Sequence, residues 1–347
     1  MQKTTPTARI DIFDYLRGFF ILIIIIDHLY RWPNLFEYVS GRGELWVSAA
    51  EGFVIISGLL VGYVRGRKNL LKPLSEVSTK LVVRGLMLYM WTVITTIILV
   101  VASWSLSFKS PIAYVPISPF DWSQLLSNAF SLTFAHPLTH FLYLYAIFLV
   151  LSPILILLLR HRLWWLGIIA SGALYWYGYV TKVEWMQWQI LFYVPAIIGF
   201  YLDNILSFVR RIPQFIIWLF VLVGVVTIIW SALIALPMTP GTYHPSLFGR
   251  EPLAPARVGL SFIWFGTVGW LFAKGLPWIK RLFGWLILPI GTKSLTAYIT
   301  HTVPLMLMVY FIPPTSSIIT NTFLAVVAIL VTWAIVKIPG INRIIPR

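Results

Sequence analysis

Cysteine is absent from the chain, and acidic residues are few: 11 Asp and Glu against 26 Lys and Arg. The first absence excludes disulfides, a thiolate metal site and a cysteine nucleophile. Charge of either sign is scarce too, 11% of residues where soluble domains carry about a quarter, which excludes an ordinary soluble fold. Also missing are a glycine-rich phosphate loop, a G-x-S-x-G elbow, a metalloprotease motif, an internal repeat and any low-complexity tract. What is there instead is apolar: 59% hydrophobic and 16% aromatic residues, with a mean hydropathy of +0.86. Such a composition is that of an integral membrane protein, with Trp and Tyr supplying interfacial belts.

A membrane-crossing helix needs about 20 mostly apolar residues. Ten stretches qualify, near 12–31, 46–64, 80–103, 138–159, 163–180, 189–205, 214–236, 257–273, 291–312 and 318–337. The expected fold is therefore all-α and polytopic, a single membrane domain over 1–347. The segment 277–290, interrupted by Pro277 and Pro289, is expected to lie along the interface. Longer connections, 104–137 and 237–256, are rich in Pro, Ser, Trp and Tyr and suit short re-entrant or interfacial pieces. With the N-terminus inside, 19 Lys and Arg fall on inner segments and 6 on outer ones. That asymmetry obeys the positive-inside rule and puts both termini in the cytoplasm of a multi-pass cell-membrane protein. The net charge of +15 is thus mostly topology, and no nucleic-acid partner is expected. A cleaved signal peptide would need a small-residue cleavage site; Asp27-His28 follows the apolar run instead, so the first helix is read as retained.

That helix, "DYLRGFFILIIIIDHL", carries charge where charge is costly. Arg17 and His28 are eleven residues apart, three turns, and so share a face roughly 16 Å apart along the axis. Asp14 sits one turn before Arg17 as its ion-pair partner. The structural alternative is a pair at the inner interface with His28 capping the outer end. Intramembrane ionisable residues usually face a cavity or pathway, and histidine accepts a proton near neutral pH. Glu51, near the outer start of the second helix, is placed to hold an imidazole at the depth of His28, or else to be a rim carboxylate in water. Asp27, at another angle, is a second candidate for that role. His301 has Tyr298 at i−3 and Ser294 at i−7; a satisfied core histidine and a site residue are both compatible with this. His136 and His140, four apart but split by Pro137, lack a third ligand, so no metal is expected; His140 reads as an acceptor contact, and Tyr243, His244 and Arg250 as loop residues able to touch an acceptor.

The arginine, ten intervening residues and histidine, after a D-x-x-R-G start, resemble the transmembrane acyltransferase superfamily, which includes the acyltransferase-3 proteins and the OpgC-like glucan succinyltransferases. "AAEGFVIISGLLVGY" with Ser57 and Gly58, Arg84 in "KLVVRGLMLY", "THFLYLYAIFLVLSP", "APARVGLSFIW" and "GTKSLTAYITH" are similar to later segments of that group, spread over most of the chain. The resemblance implies transfer of an acyl group, acetyl or succinyl, from cytoplasmic acyl-CoA to a hydroxyl of an extracytoplasmic glycan. Arg17, Arg84, Asp14 and Ser57 would serve the donor, whose phosphates need cations. His28, with Glu51, would be the general base, and His301, Tyr298, His140 and Asp27 would lie toward the acceptor or behind the base. The other readings are a transporter or flippase for an anionic substrate, and an N-acyltransferase acting on an amino sugar.

Overall fold

The computed structural model describes residues 7–105, 117–240, 246–341 and 345, with side chains from residue 11 onward. Among these residues all regular structure is helical. The helices are α1 (Thr7–Leu29), α2 (Glu37–Ser40), α3 (Ala49–Leu60), α4 (Leu74–Trp104), α5 (Trp122–Ser131), α6 (Phe141–Arg160), α7 (Trp164–Thr181), α8 (Glu184–Trp188), α9 (Ile190–Phe200), α10 (Leu202–Val209), α11 (Gln214–Ala235), α12 (Pro255–Thr292), α13 (Ser294–Thr300), α14 (Thr302–Phe311) and α15 (Ile318–Lys337). Seven of the described helical stretches are long and apolar enough to cross a membrane, or eight if one bent pair counts as a crossing. Helix stands at all ten expected positions, but α1 and α7 fall short of that test. In α1 the cause is charge: Asp14, Arg17 and Asp27 interrupt the apolar run.

Two expectations are corrected. Residues 277–290 do not form a separate interfacial piece; α12 runs unbroken for 38 residues through Pro277 and Pro289. At 1.5 Å per residue it is about 57 Å long, longer than a bilayer core is thick. Its last turns are held by α1, with Ile287 and Ile290 buried and Lys280 paired with Asp11 at 2.7 Å. Residues 189–205 are not one straight crossing either, because the chain bends by 78° after Phe200. The long connection 104–137 does hold a short helix, α5.

Packing explains the order of the bundle. α1 lies against α12, α3, α13 and α15, while α4 pairs with α6 and α3 with α9. Leu16, Ile21 and Ile25 of α1 meet Ile55 and Ile56 of α3 in one continuous core. Large apolar side chains left exposed, such as Trp218, Leu222 and Trp230 of α11, cover the outside, the distribution a lipid solvent requires. Contacts between helices that gain nothing from hydrophobic collapse depend on close backbone approach through small residues. A Cβ at Gly62 would collide with the Ala196 carbonyl of α9, and one at Gly291 with the Asp14 carbonyl of α1. After α3 the chain widens into a π-helical turn, Val61–Arg67, in which Lys68 N–H reaches Tyr63 C=O at 2.9 Å. Such turns re-aim side chains and recur at functional sites; this one brings Arg65 to a cavity described below.

Overpacking at such a crossing costs about 2 kcal/mol. Gly62→Val is expected to lower the melting temperature of the detergent-solubilised protein by several degrees, whereas Gly172→Ala, which meets no atom within 4 Å, leaves it unchanged. Equal melting temperatures for all three proteins would show that the α3–α9 approach is not tight.

Candidate active site

Two sets of ionisable side chains sit at opposite ends of α1. At the basic end, beside the π-helical turn, a cavity of about 290 Å³ is lined by Asp14, Arg17, Ser57, Arg65, Arg84 and Ser294, with Phe53, Tyr145, Leu149 and Phe192 among its apolar walls. Arg17 Nη2 donates to Asp14 Oδ1, as the spacing predicts. Three guanidinium groups against one carboxylate leave this chamber net positive, which suits a phosphate-bearing ligand. Ser57 Oγ is spent on its own helix, donating to Phe53 C=O at 2.9 Å. The expected donor residues Asp14, Arg17, Ser57 and Arg84 are thus brought together.

At the other end, His28 lines a cavity of about 490 Å³ with His140, Tyr143, Glu184, Arg250 and Glu251. His28 Nδ1 lies 2.9 Å from His301 Nε2, and His301 Nδ1 faces the Tyr298 carbonyl oxygen. A carbonyl only accepts, so His301 carries its proton on Nδ1 and presents a bare Nε2. That nitrogen accepts from His28 Nδ1–H. His28 Nε2 is then the bare nitrogen of its ring, with a lone pair available for a proton. His301 is fully buried, at the break between α13 and α14. His301 is therefore the group that fixes the His28 tautomer.

That role does not fall to Glu51. Its carboxylate is fully buried, accepts from Arg257 Nε at 2.5 Å, and closes a capping box on Ser48 at 2.9 Å from N–H and 2.6 Å from Oγ. A buried carboxylate must be fully paired, and Arg257 pairs it, tying α3 to α12. Asp27 does not line the His28 cavity; it lines a separate chamber with Tyr30, Arg42 and Tyr179. His140 does reach the His28 cavity, where its Nε2 meets both Glu184 oxygens at 2.8 Å and the Tyr143 hydroxyl donates to the same carboxylate. His136 is turned inward, fully buried, with Nδ1 accepting from Leu138 N–H; burial holds its imidazole down to about 4, so it is neutral at pH 7. Tyr243 and His244 lie outside the described residues.

Among the described residues the Arg17 chamber and the His28 chamber are separate cavities. Phe53 and Tyr145 wall the basic chamber, and Tyr298 stacks on Phe53 with centroids 6.4 Å apart while its ring stands 6.4 Å from His28. These rings are packed in the core, which is why a side-chain stripe along α1 alone does not make a channel. The Tyr298 hydroxyl accepts from Phe141 N–H at 3.3 Å, anchoring the wedge to α6.

The residue series that resembled the acyltransferases recurs in this geometry from α1 to α13. A family model described as OpgC protein matches residues 8–343. The chain belongs to the OpgC protein family. No curated protein and no solved structure matches it. The matched residues include the lining of both chambers and run from the second residue of α1 past the end of α15. Glu184, Tyr143, Tyr145 and Arg257 were missed by sequence reasoning. Glu184 carries a usable signal, an acidic residue in a chain with 11 of them, and Tyr143 follows His140 at i+3; Tyr145 and Arg257 have contacts only the fold supplies.

Removing one partner of the Glu51–Arg257 pair leaves a buried uncompensated charge, a loss of about 3–5 kcal/mol. Arg257→Ala is expected to lose most of its folded yield, and the double variant Glu51→Gln with Arg257→Met to recover it, read by size-exclusion and thermal melting. A stable Arg257→Ala would show that Glu51 is not held by this pair.

Proposed function

We propose that the protein is a membrane O-acyltransferase that moves an acetyl or succinyl group from cytoplasmic acyl-CoA to a hydroxyl of an extracytoplasmic glycan, a glucan by its family. In this reading one domain crosses the cytoplasmic membrane ten times with both termini inside, and the basic chamber opens to the cytoplasm. The observation that carries it is the bare Nε2 of His28 in an outer cavity, its tautomer fixed from behind, above a chamber rich in arginine. CoA phosphates would engage Arg17, Arg65 and Arg84, with Asp14 orienting Arg17. For the thioester to reach His28, the Phe53 and Tyr298 rings move aside.

The chemistry then balances without another reactant. His28 Nε2 takes the acceptor hydroxyl proton as the oxygen attacks the thioester carbonyl, and the His28 imidazolium is supported through Nδ1–H by the lone pair of His301. The C–S bond breaks, the thiolate takes the proton back from Nε2, and an ester and CoA thiol result. His140, held by Glu184, would contact the acceptor. General-base help of this kind contributes about 10²–10⁴-fold. Two chambers parted by aromatic rings also suit a carrier of an anionic substrate, which would consume no thioester, and an amine acceptor would need the same base.

Purified protein supplied with labelled acetyl-CoA or succinyl-CoA and glucan separates these readings. Acyl-glucan formation is expected, with His28→Ala lowering kcat by about 10²–10⁴-fold and Arg17→Ala raising KM for the acyl-CoA with less effect on kcat. Intact thioester with anion uptake into proteoliposomes would establish a carrier, and an amide formed with an amino sugar in place of the glucan, with no ester on the glucan, an N-acyltransferase.

A further inference from the structure

The mechanism leaves a second cavity on the His28 side unused. This second chamber, about 720 Å³, is lined by Asp27, Tyr30, Glu44 and Tyr179, and it shares Arg250 and Glu251 with the His28 cavity of about 490 Å³. Ligand cavities typically span about 300–1,000 Å³, so each outer chamber is of ligand size by itself. They meet at one corner, where Arg250 stands over the Phe141 and Trp188 rings at 5.8 and 5.9 Å.

Its chemistry narrows the ligand. Two of its guanidinium groups are committed elsewhere: Arg42 donates to the carbonyls of Ala235, Leu236 and Met238 at 2.8, 2.8 and 3.0 Å, closing the end of α11, and Arg257 is bound to Glu51. With Glu44 beside Arg42 Nε at 3.8 Å and Glu251 on the same walls, the chamber does not select an anion. Asp27 lies on the same wall, with its Oδ1 buried in the protein. Carboxylate acceptors, tyrosine hydroxyls and tyrosine faces together fit a neutral, hydroxyl-rich ligand with apolar ring faces, which is a sugar residue.

We propose that this second chamber is a remote acceptor subsite that holds the sugar residues adjoining the one placed beside His28, with Arg250 and Glu251 bridging the junction. Which sugar reacts rests on the acyltransfer reading; the binding itself does not. The chamber makes affinity grow with chain length in a way the His28 cavity alone would not.

The test titrates full-length protein in detergent calorimetrically with gluco-oligosaccharides from glucose to the hexasaccharide, without acyl donor, and separately measures acyl transfer to each. Tyr179→Ala and Tyr30→Phe are compared with the parent, since both residues line this chamber and neither lines the His28 cavity. Affinity is expected to rise with length, and each variant to lower the hexasaccharide-to-glucose ratio of affinities by about tenfold, one lost sugar contact. Length-independent binding, or equal weakening of glucose and hexasaccharide, would overturn the subsite. Length-dependent binding with no thioester consumed would leave the subsite standing and sink the acyltransfer reading alone.

Discussion

One backbone carbonyl determines what His28 is able to do. Tyr298 C=O accepts only, so it fixes the proton of His301 on Nδ1, and His301 in turn fixes that of His28. Every step proposed for acyl transfer follows from the nitrogen this leaves bare. The arrangement replaces the carboxylate of a serine-hydrolase triad with a neutral imidazole and a peptide dipole. In a low-dielectric membrane interior that choice avoids burying a further negative charge.

Holding the relay requires α1, α13 and α6 to keep their register. Gly291 lets the end of α12 close on α1, the core of Ile21, Ile25, Ile55 and Ile56 locks α1 to α3, and the Tyr298 hydroxyl is pinned to Phe141 N–H on α6. Polar groups elsewhere serve the same end. Glu51 with Arg257 ties α3 to α12, and Arg42 closes α11, so the outer segment between α2 and α3 is stapled to three helices. The aromatic wedge of Phe53, Tyr145 and Tyr298 separates a positively charged chamber from a polar one.

Helix positions were legible because apolar runs of membrane length are a strong signal, and the Asp14–Arg17 pair because spacing on one helix is geometry. The continuity of α12 was not, since Pro277 and Pro289 read locally as breaks, while helix packing from α1 sustains the helix through them. The partner of Glu51 was not legible for a related reason: depth along a helix was readable, but Arg257 lies 206 residues away. His301 was picked out by the face it shares with Tyr298, yet its contact with His28 spans 273 residues and belongs to the tertiary fold. The wall between the chambers was invisible for the same reason, as aromatic residues on three helices reveal their stacking only once those helices are packed.

The most direct test of the central claim is an electron cryomicroscopy structure of the protein with a non-hydrolysable acyl-CoA analogue. The account predicts phosphates against Arg17, Arg65 and Arg84, the pantetheine arm passing a displaced Phe53 and Tyr298, and the acyl carbonyl beside His28 Nε2. An analogue bound elsewhere, or one whose acyl end stops below an unmoved Tyr298, would contradict it.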